Sequence, residues 1–163
     1  GYGLAQWVLY FFIYSFLGWV WESCLVSVQQ HRWVNRGFLN GPFLPIYGFG
    51  AVAILLFTWP VQNNTLLVFA AGMLGATLLE YVTGYSMEKL FHARWWDYSK
   101  KFLNINGRVC LLGAVAFGAF SVVLVLFMHP FFEDKLSFIT PEARDILFWC
   151  VWRSSWGVIF FHL

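Results

Sequence analysis

Long runs without a single charged side chain alternate along the chain with short segments that hold all of the charge. The charge-free runs cover residues 1–21, 37–79 and 109–132. A hydrocarbon core about 30 Å thick needs about 20 apolar residues per helix, so these runs hold at least four crossings. The pattern predicts helices over residues 4–28, 44–61, 65–87, 109–131 and 146–163. We expect an all-α, polytopic transmembrane bundle of four to five helices, forming a single membrane domain over residues 1–163.

The composition supports lipid as the solvent for much of this surface. Hydrophobic residues make up 60% of the chain and charged residues 11%, whereas soluble domains average roughly 45–50% and 25%. A soluble domain of this size could not shield so much apolar surface from water. We expect the lipid bilayer as a partner and no nucleic acid.

The distribution of Lys and Arg predicts the orientation. The first connecting loop carries Arg32 and Arg36. The loop after the third helix carries five bases: Lys89, Arg94, Lys100, Lys101 and Arg108. Because basic loops remain in the cytoplasm, the loops over residues 29–43 and 88–108 are expected to be cytoplasmic and the N-terminus outside.

Two carboxylates, Glu22 and Glu80, lie inside apolar segments. A charge is costly there, so each of them points to a functional site. Gly18 and Glu22 are four residues apart in the first helix, and Glu80, Gly84 and Glu88 follow the same spacing in the third. Each set lines one face of its helix, and the glycines would let neighbouring backbones approach closely. The alternative is a purely structural role, in which each carboxylate pairs with a loop arginine. For Glu80, the reachable arginines are Arg36 and Arg108.

The two basic loops carry the remaining candidate residues. Glycines and prolines over 37–45 exclude a continuous helix there, and this apolar segment is expected to dip back toward the bilayer or to form a tight interfacial turn. The second loop mixes aromatic, acidic and basic residues, as a site for a phosphate or an anionic head group would, or a membrane-surface anchor. The predicted polar binding site consists of Glu22, Arg36, Asn40, Glu80, Arg94, Asp97, Asn106 and Arg108.

A faint internal repeat links the two halves of the chain at an offset of 66 residues. The matched positions are Gly18 with Gly84, Glu22 with Glu88, Asn40 with Asn106, and Gly41 with Gly107. The pattern indicates two parallel helix-hairpin repeats, an arrangement that commonly places a shared site between its halves.

Several of these motifs together resemble the putative ABC-transporter type IV permease family (CmpB-like). The segments that carry the resemblance are Tyr14–Glu22, Asn35–Pro42, Pro45–Gly50, Leu79–Gly84, Arg94–Ser99 and Asn104–Arg108. It covers roughly residues 10–130, in order. The resemblance implies a bacterial integral protein of the inner membrane, serving as the membrane part of a transporter.

The chain lacks a GxxxxGK[ST] segment, so transport powered by ATP would require a separate nucleotide-binding subunit. Its small size favours a homo-oligomer or a multi-subunit assembly. One alternative is a membrane-embedded enzyme for a lipid or lipid-linked phosphate, with Glu22, Glu80 and Asp97 as acid/base groups and the site arginines holding phosphate. Another is a non-catalytic scaffold. Because no nucleophile or metal motif is present in the sequence, we assign no catalytic residue, cofactor or metal.

Overall fold

The computed structural model describes residues 2–38 and 41–161. It contains six α-helices in the order α1 Leu4–Gln30, α2 Pro45–Thr58, α3 Thr65–Phe91, α4 Leu111–Val123, α5 His129–Ser137 and α6 Pro141–Phe161. A short 3₁₀ turn, Trp59–Val61, extends α2, and a π-helical stretch, Leu124–Met128, joins α4 to α5. No β-strand occurs among these residues, which confirms the all-α class.

The first four predicted helices begin within two residues of their predicted starts, whereas the last begins at Pro141, five residues before the predicted start at residue 146. The first and third begin at Leu4 and Thr65, as predicted, but the third continues four residues further. The fourth continues as one helical run to Ser137, and the last begins at Pro141. Among the described residues, three runs are long and apolar enough to cross a membrane: Leu4–Gln30, Thr65–Phe91 and Leu111–Ser137. Pro45–Val61 is a shorter apolar helix.

The ends of α1 and α3 are set by local hydrogen bonds and backbone geometry. The Asn64 side chain caps α3 by accepting from the backbone N–H groups of Leu66 and Leu67, which would otherwise lack a partner. Both helices stop at a histidine in the left-handed conformation, His31 and His92, each with φ 51°. A left-handed residue just past the helix reverses the chain direction, so each helix is followed by a segment that can turn back.

The chain divides into two compact units, and the single-domain expectation stays a prediction. The first unit comprises Gly1–Val52 and Lys135–Leu163, and in it α1 contacts α6. The second comprises Ala53–Asp134, and its main packing joins α3 to α4. Val68 of α3 and Leu124 at the end of α4 are fully buried there.

Candidate functional site

The residues after α1 run back along that helix, and we call the described ones, residues 32–38 and 41–44, the first return segment. The backbone N–H of Val34 donates to Ser27 Oγ at 2.8 Å, and that of Arg36 donates to Ser23 Oγ at 3.2 Å. Further along, the Leu44 N–H donates to the Ser15 carbonyl oxygen at 2.9 Å. Ser15 lies roughly 22 Å from the end of α1 at 1.5 Å per residue. The segment therefore lines much of the helix instead of leaving its end.

Within the first unit, the two candidate residues that the structure describes form one ion pair. Arg36 Nη2 lies 3.3 Å from Glu22 Oε1, and the two side chains are 50% and 26% exposed. The neighbouring Trp19 indole donates to Asn35 Oδ1 at 2.7 Å. Asn40, the third candidate from this loop, lies outside the described residues. Glu22 is thus neutralised by a partner that remains half in solvent.

The residues after α3 also run back along their helix, and we call residues 93–110 the second return segment. Alternate side chains of this segment meet positions of α3 spaced by four: Arg94 reaches Glu88, Trp96 lies against Gly84, and Tyr98 reaches Glu80. The spacing follows from geometry, because one helical turn and two extended residues advance by similar distances. This register brings Glu80, Arg94, Asp97, Asn106 and Arg108 into the second unit's polar cluster.

Charges near the C-terminal end of α3 in this cluster neutralise one another. Glu88 Oε2 accepts from Arg108 Nη2 at 2.8 Å, and Glu88 Oε1 lies 3.5 Å from Arg94 Nε. Arg94 Nη1 also lies 3.5 Å from Asp97 Oδ1. Two guanidinium groups therefore face two carboxylates. A phosphate clamp formed by Arg94 and Arg108 would have to displace these pairs, so the geometry does not favour the anion site expected from the loop's arginines.

Arg108 is the most enclosed of the ion-paired residues in the cluster. Its side chain is 15% exposed, and its guanidinium carbon lies 5.4 Å and 5.3 Å from the ring centres of Tyr81 and Tyr85. Such placement over aromatic faces attracts the cation in addition to its ion pair. The amide of Asn106 donates to the Tyr81 hydroxyl at 3.0 Å, which fixes the same ring from the return segment.

A tight turn at Asn106 and Gly107 closes the second return segment. Both residues have positive φ, 54° and 68°, and the Arg108 N–H donates to the Ile105 carbonyl at 3.0 Å. This is the backbone geometry for which an Asn-Gly pair is preferred. A Cβ at Gly107 would lie 2.6 Å from Asp97 Oδ1 and 2.9 Å from Arg94 Nη1. The glycine therefore lets the turn sit directly against the charged pair.

Asp97 is held ionised by the residue two positions on. The Ser99 hydroxyl and the Ser99 backbone N–H both donate to Asp97 Oδ1. These two bonds, the hydroxyl's first, hold the pKa of Asp97 below its usual value, and Arg94 acts in the same direction. An anchored anion at this position stabilises the loop rather than supplying an acid or a base near neutral pH.

Glu80 differs from every other described acid of the candidate site because its partner carries no charge. The Tyr98 hydroxyl donates to Glu80 Oε1 at 3.2 Å. Glu80 Oε2 is buried and has no hydrogen-bond partner, and the same is true of the Thr77 hydroxyl one turn earlier. The expected ion pair with Arg108 is wrong, because Arg108 bonds to Glu88; Arg36 pairs with Glu22.

Burial of Tyr98 changes the chemistry of the hydroxyl that faces Glu80. Its removal from water raises the pKa of Tyr98 to about 12, and the neighbouring Glu80 carboxyl adds to the shift. Tyr98 is therefore a hydrogen-bond donor at all physiological pH values. It holds one carboxyl oxygen of Glu80 and leaves the other unbound.

Sequence reasoning missed the residues that fasten the two return segments. Ser15, Trp19, Ser23 and Ser27 recur every four residues along α1, a polar stripe that could have predicted the first return segment. Tyr98 was not predicted as a site residue, and only its position two residues after Trp96 in an extended segment would have revealed it.

The glycines at the helix contacts also act differently than expected. A Cβ at Gly18 would overlap the Tyr47 ring, and one at Gly84 would lie 3.1 Å from the Trp96 ring, so they admit side chains rather than backbones.

Comparison with known proteins gives one family. A family model described as "Putative ABC-transporter type IV" matches residues 9–155, which extends the resemblance found from the sequence motifs beyond residue 130. No curated protein and no solved structure gives a significant match.

Proposed function

We propose a function on the premise that the chain belongs to the putative ABC-transporter type IV family. The match and the apolar helices together make it an integral membrane, transporter-related protein. Within that class, it serves as the permease-like, multi-pass component of an ABC-type transporter in the bacterial inner membrane. Its polar site lies at the cytoplasmic side of the bundle.

The observation that carries this proposal is the Glu80 carboxyl group. It lies about 22 Å into α3 at 1.5 Å per residue, in a helix long and apolar enough to cross a membrane. A carboxylate used only for packing would be expected to bind a cation there, since removing a charge from water costs several kcal/mol. Glu80 instead offers a buried, unbound oxygen beside Thr77. Intramembrane carboxyl groups of this kind mark substrate and ion pathways in transporters.

Transport also requires an ATPase. Residues 1–163 hold no phosphate-binding loop sequence of the GxxxxGK[ST] type, so in this role ATP hydrolysis is supplied by a nucleotide-binding subunit. The chain works as a homo-oligomer or together with other membrane subunits. Both partnerships follow from the proposed role.

The proposed role predicts an ATPase gene beside the gene for this chain, and the test is reconstitution with that ATPase. We expect the ATPase to co-purify with the chain, and ATP hydrolysis in vesicles to fall at least about tenfold in Glu80→Gln, without loss of co-purification. An ATPase from an unrelated transporter serves as the control and should not be retained. Failure of the neighbouring ATPase to bind, or full hydrolysis by Glu80→Gln, would contradict the proposed role.

The orientation proposed here places the N-terminus outside and the loops over residues 29–43 and 88–108 in the cytoplasm, because these two loops carry seven of the ten Lys and Arg residues of the chain. Single cysteines replace Gln30, Asn63 or Lys100 in a background that lacks the three native cysteines. We expect a membrane-impermeant thiol reagent to label position 63 from outside in intact cells. Positions 30 and 100 should react only after the membrane is opened. Labelling of positions 63 and 100 from the same side would refute this topology.

A further inference from the structure

The Glu80 carboxyl group is partly bound and partly unsatisfied, and the two oxygens differ sharply. Oε1 accepts from the Tyr98 hydroxyl at 3.2 Å, whereas Oε2 is buried without a partner. A buried carboxylate oxygen with no donor loses its hydration and gains nothing in exchange. Protonation of this oxygen would remove the charge, and burial of a neutral acid costs far less than burial of an unpaired carboxylate.

The described surroundings of Glu80 supply no positive charge to stabilise an anion. In residues 2–38 and 41–161, no Lys, Arg or His makes an ion pair with Glu80, and Arg94 and Arg108 are taken by Glu88. Within its unit, α3 packs against α4, the turn Trp59–Val61 and Phe57 at the end of α2. Neither α4 nor the turn nor residues 53–58 of α2 contain an ionisable side chain. From the return segment, Tyr98 faces the carboxyl group, with the buried Cys110 close to Tyr98. The Tyr98 hydroxyl is neutral near pH 7.

We propose that Glu80 is a proton-binding site, in which the carboxyl group carries a proton on Oε2 at neutral pH. Proton uptake converts the carboxylate to a neutral acid, and release returns the proton to water with no other bond changed. Thr77, three residues earlier on the same face, provides a second buried oxygen without a partner. Tyr98 holds Oε1 from the return segment, so displacement of that segment would open the carboxyl group to water.

This inference rests on the proposed function only in assigning a role to the same carboxyl group. It names the ligand of that site, H⁺, and makes proton release and rebinding part of the cycle. Its test measures protonation directly and requires neither a transport assay nor an ATPase. A chain that transports nothing can still carry this proton, and a working transporter can have an ionised Glu80, so the two proposals can fail separately.

The test is infrared spectroscopy of the full chain in lipid vesicles at neutral pH. Glutamate labelled with ¹³C at the side-chain carboxyl group identifies the C=O stretch of a protonated Glu, which lies apart from the carboxylate bands. We expect the wild type to show one such labelled band. The band should be lost in Glu80→Gln and retained in Glu22→Gln. Glu22 is the matched control, because it also lies in a long apolar helix but is paired with Arg36 at 3.3 Å.

The Tyr98→Phe variant keeps the test decisive if Glu80→Gln fails to accumulate. This variant removes the hydroxyl that donates to Glu80 Oε1, so the acid band should remain and shift to higher frequency. The proposal is overturned if the wild type shows no labelled acid band, if the band survives in Glu80→Gln, or if it does not shift in Tyr98→Phe.

Discussion

The two return segments are bound to the helices that precede them by different chemical groups. Each follows a helix of 27 residues that ends at a left-handed histidine, and each runs back along that helix. The first is fastened mainly through its backbone N–H groups, which donate to Ser27, Ser23 and the Ser15 carbonyl. The second is fastened mainly by side chains, whose partners are acids of α3. Only the second therefore places ionisable groups along the length of its helix.

Neutralisation also differs between the two segments. In the first, Glu22 and Arg36 form a single pair that balances itself. In the second, Arg94 pairs with Glu88 and Asp97, and Arg108 pairs with Glu88. Neither of these arginines pairs with Glu80. A carboxylate in an apolar helix therefore does not by itself locate a functional site. The acid whose charge is left unpaired by the local arginines is the functional candidate.

The largest stability difference between the two regions is expected from their arginines. Arg108→Gln removes a 15%-exposed cation that binds Glu88 at 2.8 Å and packs over two tyrosine rings, so the melting temperature in detergent should fall by several degrees. Arg36→Gln is the matched variant in the first region. Its pair is 3.3 Å long with Arg36 half exposed, and pairs of this kind contribute about 0–1 kcal/mol.

Concentrated salt should weaken the ion pairs of the two regions to different degrees. The Arg36 pair is exposed to the ions of the solvent and should lose its small contribution in concentrated salt, whereas the enclosed Arg108 contacts should be screened less. Equal melting temperatures for the two variants would show that the second return segment is not held by its charges.

A smaller effect is expected from pH in the second region. Burial raises the folded-state pKa of Tyr98 from its ordinary value of 10.0 to about 12, so its hydroxyl contributes stability that is fully present below pH 10.0. That contribution is lost as the pH rises toward about 12. A spectrophotometric tyrosine titration of the folded chain should therefore lose one late-titrating group in Tyr98→Phe. An unchanged late phase in that variant would place Tyr98 in water.

The helices could be predicted from the sequence, and the site could be predicted only in part. Runs without charge predict the helices α1, α3 and α4 because lipid excludes charged groups, and the Asn106-Gly107 turn follows from the positive φ that this pair tolerates. The pairing of Glu80 could not be predicted. Arg108 and Glu80 are both available by composition, and only the register of the return segment shows that Arg108 meets Glu88 while Tyr98 meets Glu80.

The course of the first return segment could be predicted from the sequence only in part. Its glycines and prolines exclude a helix, which indicates irregular backbone but not where that backbone binds. The partners are hydroxyl and carbonyl groups of α1, and serines are common enough in apolar helices that their four-residue spacing carries little weight alone. Binding through backbone groups leaves no side-chain signature on the return segment itself.

The central claim is that the Glu80 carboxyl group serves function and not folding, and one paired measurement tests it. Glu80→Gln is introduced into a strain that lacks the gene, beside Glu142→Gln at the exposed first turn of α6 as the control. Because Gln has the shape of a neutral acid but cannot release a proton, Glu80→Gln should reach wild-type levels in the membrane, melt within a few degrees of wild type, and fail to complement. Glu142→Gln should complement fully. Normal complementation by Glu80→Gln, or loss of the protein from the membrane together with its activity, would contradict the account.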